Sequence, residues 1–298
     1  MTEAPAHRSG FACFVGRPNV GKSTLTNALV GSKVAIASSK PQTTRHAVRG
    51  IVHRPDAQLV LVDTPGLHKP RTLLGQRLND VVRATWAAVD VIGFCVPADQ
   101  PVGSGDKFVA QELSQLKTPV LAVLTKTDLV DRGTVGAQLI ALNDLGDWAD
   151  VVPCSAKDGF QMDVLADLLF ERLPEGPPLY PEGELTDEPE IVMVGELIRE
   201  AALEGVRDEL PHSLAVVVEE MVPREGKDLI DVHANVFVER DSQKAIVIGK
   251  GGARLRAVGT EARRHIEALL GTPIYLELHV KVAKDWQRDP RQLRKLGF

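Results

Sequence analysis

Two hydrophobic patterns alternate along the first 173 positions. Phe11–Val15, Val91–Val96 and Val120–Leu124 are apolar throughout, as strands buried on both faces are. Ala47–His53 and Gln58–Val62 read as two more strands joined by a turn at 54–57, and Val151–Val152 as a short one. Between them lie helical patterns over Lys22–Val30, Leu73–Val89, Asp106–Leu116, Thr134–Leu145 and Phe160–Leu173. Strands interleaved with helices predict an α/β domain: a mostly parallel sheet covered on both faces, with ligands beyond the carboxyl ends of its strands.

The pattern breaks at 174–190, PEGPPLYPEGELTDEPE. Its prolines block helix and sheet and its acidic groups repel one another, so a linker is expected. A different order follows: a helix over Ile191–Leu203, strands over Leu214–Met221 and Asp228–Val238 with a loop at Pro223–Lys227, and a short helix into Val247–Ile248. A turn at Gly249–Gly252, a helix over Arg254–Leu270 and a strand over Ile274–Val282 complete it. This α-β-β-α-α-β order predicts a small α+β domain. The expected division is 1–173, a linker at 174–190, and 191–298.

Composition adds exclusions. The chain has 298 residues, 44% hydrophobic and 25% charged, enough to give each domain a core and too ordinary for a disordered, collagenous or coiled-coil chain. No apolar run approaches a membrane span, and MTEAPAHRSG has no apolar core, so no secretory signal is expected. Cys13, Cys95 and Cys154 are odd in number and widely spaced, which suits a reducing cytoplasm and neither disulfides nor zinc. The net charge of −5 argues against a nucleic-acid binder along the whole chain, yet residues 241–298 carry twelve basic groups against six acidic ones. A basic end on an acidic chain suits one face meeting a polyanion.

Gly16-Arg17-Pro18-Asn19-Val20-Gly21-Lys22-Ser23, followed by Thr24, fits G-x-x-x-x-G-K-S between a predicted strand and a predicted helix. Such a loop turns backbone N–H groups toward phosphate oxygens, Lys22 reaches the β- and γ-phosphates, and the Ser23 hydroxyl suits magnesium. Asp63-Thr64-Pro65-Gly66 closes a strand, where a carboxylate can hold magnesium and the Gly66 N–H can meet a γ-phosphate. Thr125-Lys126-Thr127-Asp128 follows another strand; Asp128 could accept both N–H donors of guanine, a pair adenine lacks. Ser155-Ala156-Lys157 could close over the base. The polar loop Ser38–Arg45 holds Thr43 and Thr44, either of which could complete a magnesium shell.

In this order GRPNVGKST, KPQTTR, DTPGLHKP and SAK resemble the Era family of bacterial GTPases. The resemblance implies a P-loop GTPase domain binding GTP or GDP with Mg2+. It implies that Lys22, Thr44 and Gly66 serve catalysis, with Thr43 as the fallback for Thr44, and that Ser23, Thr44 and Asp63 hold the metal. Gly16, Asn19, Val20, Gly21, Lys22, Ser23, Thr24, Asp63, Gly66, Thr125, Lys126, Asp128, Ser155, Ala156 and Lys157 would contact the nucleotide. Leu67 stands where many small GTPases carry a water-orienting glutamine, so hydrolysis is expected to be slow or to use another group. Thr125 departs from the family's N-K-x-D; its single hydroxyl offers fewer tethers than an asparagine amide, which implies weaker guanine affinity.

The turn Gly249-Lys250-Gly251-Gly252, between apolar segments, fits G-x-x-G. Within α-β-β-α-α-β it resembles a type II KH domain, whose loop clamps single-stranded RNA. Gly249, Lys250, Gly251, Gly252, Arg254 and Arg256 are the expected RNA contacts. Tyr275 and Trp286 read as core as readily as stacking platforms, and His265 and His279 as packing or surface residues without a partner. The likeness to Era runs on through Leu293-Arg294-Lys295-Leu296-Gly297-Phe298. It implies a cytoplasmic assembly factor binding the 3′ end of small-subunit rRNA and the small ribosomal subunit, with no obligate protein partner. A weak peripheral membrane contact through Lys281–Lys295 is the least supported expectation, since Asp285 and Asp289 interrupt that stretch. Two other classes stay open: a structural RNA-binding protein whose nucleotide pocket only stabilises the fold, and an ATP-using enzyme in which Asp128 is idle.

Overall fold

The computed structural model describes residues 6–37, 44–45, 47–67, 72–204, 206 and 210–298. For the most part they form two compact units, one from residues up to Asp187 and one from Glu188 to Phe298. In the first, β1 (Arg8–Val15), β2 (Val48–Arg54), β3 (Ala57–Asp63), β4 (Val91–Pro97), β5 (Val120–Thr125) and β6 (Asp150–Pro153) make one sheet in the order β2-β3-β1-β4-β5-β6. All neighbours are parallel except β2, which returns antiparallel along β3. The helices are α1 (Lys22–Val30), α2 (Leu73–Trp86), α3 (Ser104–Leu113), α4 (Arg132–Asn143) and α5 (Met162–Phe170).

The period of two along β1 sorts its side chains between two cores. Cys13 and Val15 join the cluster holding Val82 and Trp86 of α2, Val109 and Leu113 of α3 and Leu142 of α4. Ala12 and Phe14 join the opposite cluster, with Leu25 of α1 and Leu165, Leu169 and Phe170 of α5. Each buried leucine or phenylalanine contributes about 1.5–3 kcal/mol, so both faces hold the sheet rigid. Because β1, β3, β4 and β5 run parallel, the residues that follow them meet at one edge.

Strand and helix limits differ from the sequence expectation by local polar bonds. β1 starts at Arg8 because Ser9 N–H donates to Pro174 O at 3.1 Å, extending it through polar residues. The Asp131 side chain accepts from Thr134 N–H and starts α4 early, at Arg132. Residues 174–187 lie along the first unit. Gln58 holds them with one side chain: Oε1 accepts from Leu179 N–H (2.7 Å) and Tyr180 N–H (2.9 Å), and Nε2 donates to Tyr180 O (2.9 Å). Ile51 N–H of β2 donates to Leu185 O at 2.9 Å, and Arg49 pairs with Asp187 at 2.8 Å. A proline-rich strap cannot form a full ladder, so side chains supply the attachment.

In the second unit α6 (Glu190–Leu203), α7 (Leu210–Ser213), β7 (Ala215–Pro223), β8 (Ile230–Val238), α8 (Asp241–Ile248), α9 (Ala253–Leu270), β9 (Ile274–Val282) and α10 (Pro290–Lys295) follow in order. β8 is central, antiparallel to β7 and parallel to β9. The short α7 and α10 were absent from the sequence reading, being too brief to show a period. Trp286 is fully buried: its indole N–H donates to Ser213 O at 3.0 Å, and its ring stacks on Phe298 at 5.5 Å. Trp286→Ala is expected to cost this unit about 3–5 kcal/mol, measured as a loss in urea-unfolding free energy.

Candidate functional site

The phosphate loop lies between β1 and α1. Gly16, Asn19 and Gly21 all have positive φ, which turns successive N–H groups to one side of the loop. Lys22 is 7% exposed, and its ammonium donates to the carbonyls of Gly16 (3.3 Å) and Arg17 (3.0 Å). A Cβ on Gly66 would fall 2.9 Å from Pro18 N and 3.2 Å from Lys22 Nζ, so only glycine lets that backbone approach the loop.

Three chain segments converge on Asp63. Ser23 Oγ donates to its Oδ2 at 2.7 Å, Thr44 Oγ1 donates to the same oxygen at 3.0 Å, and the two hydroxyls are 3.0 Å apart. These are the three expected magnesium ligands; Thr43 lies outside the described residues. Asp63 Oδ1 is buried and has no hydrogen-bond partner among the described residues, an acceptor beside two hydroxyls that suits a hard divalent cation. Burial pushes the Asp63 carboxyl up, opposed by the Ser23 hydrogen bond, the Lys22 charge and the Thr44 hydrogen bond; burial pushes the Lys22 ammonium down, opposed by Asp63. Leu67, which has no group to orient water, is 4% exposed in the hydrophobic cluster of Val82 and Trp86.

The base-side motifs meet at the neighbouring strand ends. Thr125 is buried, and its hydroxyl donates to Val20 O at 2.6 Å, tying β5 to the phosphate loop. Lys126 has a left-handed φ of 57°. Ser155 Oγ donates to Asp128 Oδ1 at 2.9 Å, and Thr127 N–H reaches Cys154 O at 3.4 Å, so the two motifs hold each other. Asp128 itself is exposed, as an acceptor for an incoming base must be.

In the second unit Gly249, Gly251 and Gly252 all have positive φ, and a Cβ on Gly249 would lie 2.7 Å from the Arg254 Cβ. Lys250 and Arg256 are exposed. Arg254 is turned away: its Nη2 donates to Glu204 O at 2.6 Å and Ala202 O at 3.3 Å, capping α6. Beside the glycine turn, α9 and β9 form an open groove of about 350 Å³ with Leu255, Gly259, Ile274, Leu276 and Leu278 among its lining, and Arg256, Arg263 and Tyr275 also border it.

A profile of the 50S ribosome-binding GTPase family matches residues 11–126, and a KH-domain profile matches 209–287. The GTPase Era of Streptomyces coelicolor is 70% identical, over all of this chain and 98% of its own length. The GTPase Era of Mycolicibacterium smegmatis is 65% identical over the whole of both chains. The chain belongs to the Era family of GTPases. Two solved structures agree. A crystal structure of Era with MgGDPNP and nucleotides 1506–1542 of 16S ribosomal RNA is 36% identical, with a TM-score of 0.94 over 98% of this chain and 99% of that one. Aquifex aeolicus Era bound to GDP and AlF4− is 36% identical, with a TM-score of 0.93 over 97% and 99%.

The Era-family fold brings the predicted nucleotide residues to one sheet edge, as its parallel strands require. The sequence reading did not single out Leu255, Gly259, Leu276 and Leu278 of this groove, because strand and helix patterns do not say which residues of two elements line a shared depression. Tyr275 is 49% exposed, with the Arg224 guanidinium 5.1 Å from its ring, whereas Trp286 is core. The two histidines do have partners: His265 Nε2 lies 3.3 Å from Glu261, and His279 Nε2 3.1 Å from Glu277.

Two outcomes follow from the geometry. Thr125→Asn, restoring an amide donor and acceptor, is expected to tighten GDP binding about three- to tenfold, the value of one added hydrogen bond, as measured by calorimetric titration. Arg256→Ala is expected to weaken RNA binding and lower its salt slope by about 1, with little change in melting temperature. Arg254→Ala should instead lower the melting temperature, since it uncaps α6.

Proposed function

We propose that this chain binds and hydrolyses GTP in its first unit and grips single-stranded RNA, the 3′ end of small-subunit rRNA, in its second, acting in small-subunit assembly in the cytoplasm. The boundaries 1–173, 174–190 and 191–298 serve as its working division. The observation that carries the reading is the convergence of Ser23, Thr44 and Asp63 beside a buried lysine. A pocket that merely stabilised the fold would gain nothing from a buried carboxylate with an unpaired oxygen. Solved Era relatives hold MgGDPNP with 16S rRNA, and GDP with AlF4−.

Magnesium, held by Ser23, Thr44 and Asp63, would supply charge neutralisation on the β- and γ-phosphates. Lys22 shifts from the Gly16 and Arg17 carbonyls onto phosphate oxygens. The loop N–H groups and the α1 N-terminus stabilise the charge that develops on transfer. The Gly66 N–H faces the γ-phosphate position. With Leu67 buried, the attacking water lacks a side-chain orienter at that position, so intrinsic turnover is expected to be slow or to use another group. Asp128, held by Ser155, accepts from guanine N1–H and N2–H and rejects adenine, whose edge would leave the carboxylate unpaired. In the second unit the glycine turn lets the RNA backbone pass close to Lys250, while bases enter the apolar groove under Arg256 and Arg263.

Thr44 lies at the start of the segment leading into β2, and β2 carries the strap through Leu185 and Asp187. A γ-phosphate that repositions Thr44 therefore acts on a strand attached to the segment leaving the first unit. No helix among the described residues is long and apolar enough to cross a membrane.

Turnover of GTP by the purified chain, absent in Lys22→Ala, tests the enzyme against the scaffold reading. Affinity for an oligonucleotide matching the 3′ end of small-subunit rRNA is expected to differ between GDP and a non-hydrolysable GTP analogue by about 5–150-fold at fixed salt. Equal affinity with both nucleotides, read by fluorescence anisotropy, would refute the switch.

A further inference from the structure

The motif leaves Arg17 unspecified, yet the structure ties it down at both ends. Its carbonyl accepts from Lys22 Nζ at 3.0 Å. Its guanidinium reaches α3 and the loop before it: Nε donates to Asp106 Oδ1 of α3 at 2.7 Å and Nη1 to Gln100 Oε1 of the loop at 3.4 Å. Asp106 is fully buried, and its second oxygen accepts from Gly103 N–H at 2.8 Å, starting α3. The Arg17 stem lies so close over Gly105 that a Cβ there would fall 2.6 Å from its Cδ.

We infer that Asp106 is a positioning residue of the GTPase site, acting through Arg17. The carboxylate anchors the Arg17 side chain to α3. That anchor fixes the main chain around Arg17, where the Gly16 and Arg17 carbonyls hold the Lys22 ammonium before nucleotide arrives. It also fixes Pro18, the atom group against which Gly66 sits. A loop held in its bound shape spends less ordering free energy on binding. Asp106 touches no substrate; it holds what does. An ion pair serving only α3 would change stability and leave nucleotide affinity alone. The inference rests on the first unit being the GTP site.

The test separates these roles. Arg17→Met combined with Asp106→Asn removes both charges, so no unpaired carboxylate is buried, and the new amide oxygen can still accept from Gly103. Replacing a buried ion pair by neutral groups is commonly near neutral for stability. The full chain is titrated with GDP and with a GTP analogue, turned over for kcat and KM, and melted without nucleotide. The expected result is a GDP Kd raised about tenfold, within the range of coupling between contacting residues, a KM raised in step, and a smaller change in kcat. Arg17→Lys, which keeps the charge and loses Nε, should fall between. A double variant whose GDP Kd stays within about twofold of the parent would overturn the inference, whatever its melting temperature; this threshold lies just below that coupling range. Failure of the parent chain to bind GDP would overturn the GTP-site reading instead, and the two failures are distinguishable in one titration series.

Discussion

Asp63 is a carboxylate with no exposed surface at the end of a central strand, and the first unit is arranged around the cost of keeping it there. Burial disfavours its charge, as it disfavours that of Lys22, and each opposes the shift of the other. Ser23 and Thr44 bring neighbouring hydroxyls from two chain segments, which ties the first turn of α1 and the start of the β2 segment to one oxygen. The second oxygen has no hydrogen-bond partner among the described residues. A site that is electrostatically incomplete in this way is completed by a cation and phosphates, and the segments it ties are those whose positions then report on the nucleotide. Val48 of β2 pairs with Asp63 itself, so the register of the edge hairpin starts from the same residue.

That register matters beyond the pocket. β2 is the sheet edge, and its Ile51 N–H and Arg49 guanidinium hold the strap at Leu185 and Asp187. An exposed edge strand ordinarily invites pairing with other chains. Here a proline-rich segment covers part of it without becoming a strand. It also gives the first unit a tether between the nucleotide-facing segment and the residues that leave it. Arg49 and Asp187 are partly exposed, so their pairing contributes little stability; its value lies in fixing direction.

Much of this was legible in the residues, and the limits were physical. Buried parallel strands announce themselves as apolar runs, so the sheet and its ligand edge could be read. The glycine–lysine loop could be read because its chemistry demands those residue types at that spacing. Gln58 gave no signal, because a side chain that satisfies three backbone groups of a remote segment looks like any polar residue in a strand. The bonds from Arg254 to the Ala202 and Glu204 carbonyls at the end of α6 gave no sequence signal, because they depend on tertiary placement. Leu67 was recognised as unable to orient water, but its burial depends on α2 packing over it. Asp106 was read only as a helix residue, and Arg17 as an unspecified loop position. Their pairing, 89 residues apart in sequence, exists only once the sheet has formed.

The chain presents polyanion-facing glycine turns twice, and the difference between them is burial. In the first unit Lys22 is nearly enclosed, and its hydrogen bonds are made in a low-dielectric setting where each charge contact is strong and shape-dependent. In the second, Lys250 and Arg256 stand in solvent, where their fields are screened within about 8–10 Å at ordinary salt. An enclosed lysine suits one compact ligand held in one pose. Exposed cations over an apolar groove suit a flexible strand whose backbone must slide into register before its bases are read. The same turn chemistry thus stands in two settings, one enclosed and suited to a compact anion, the other open and suited to an extended one.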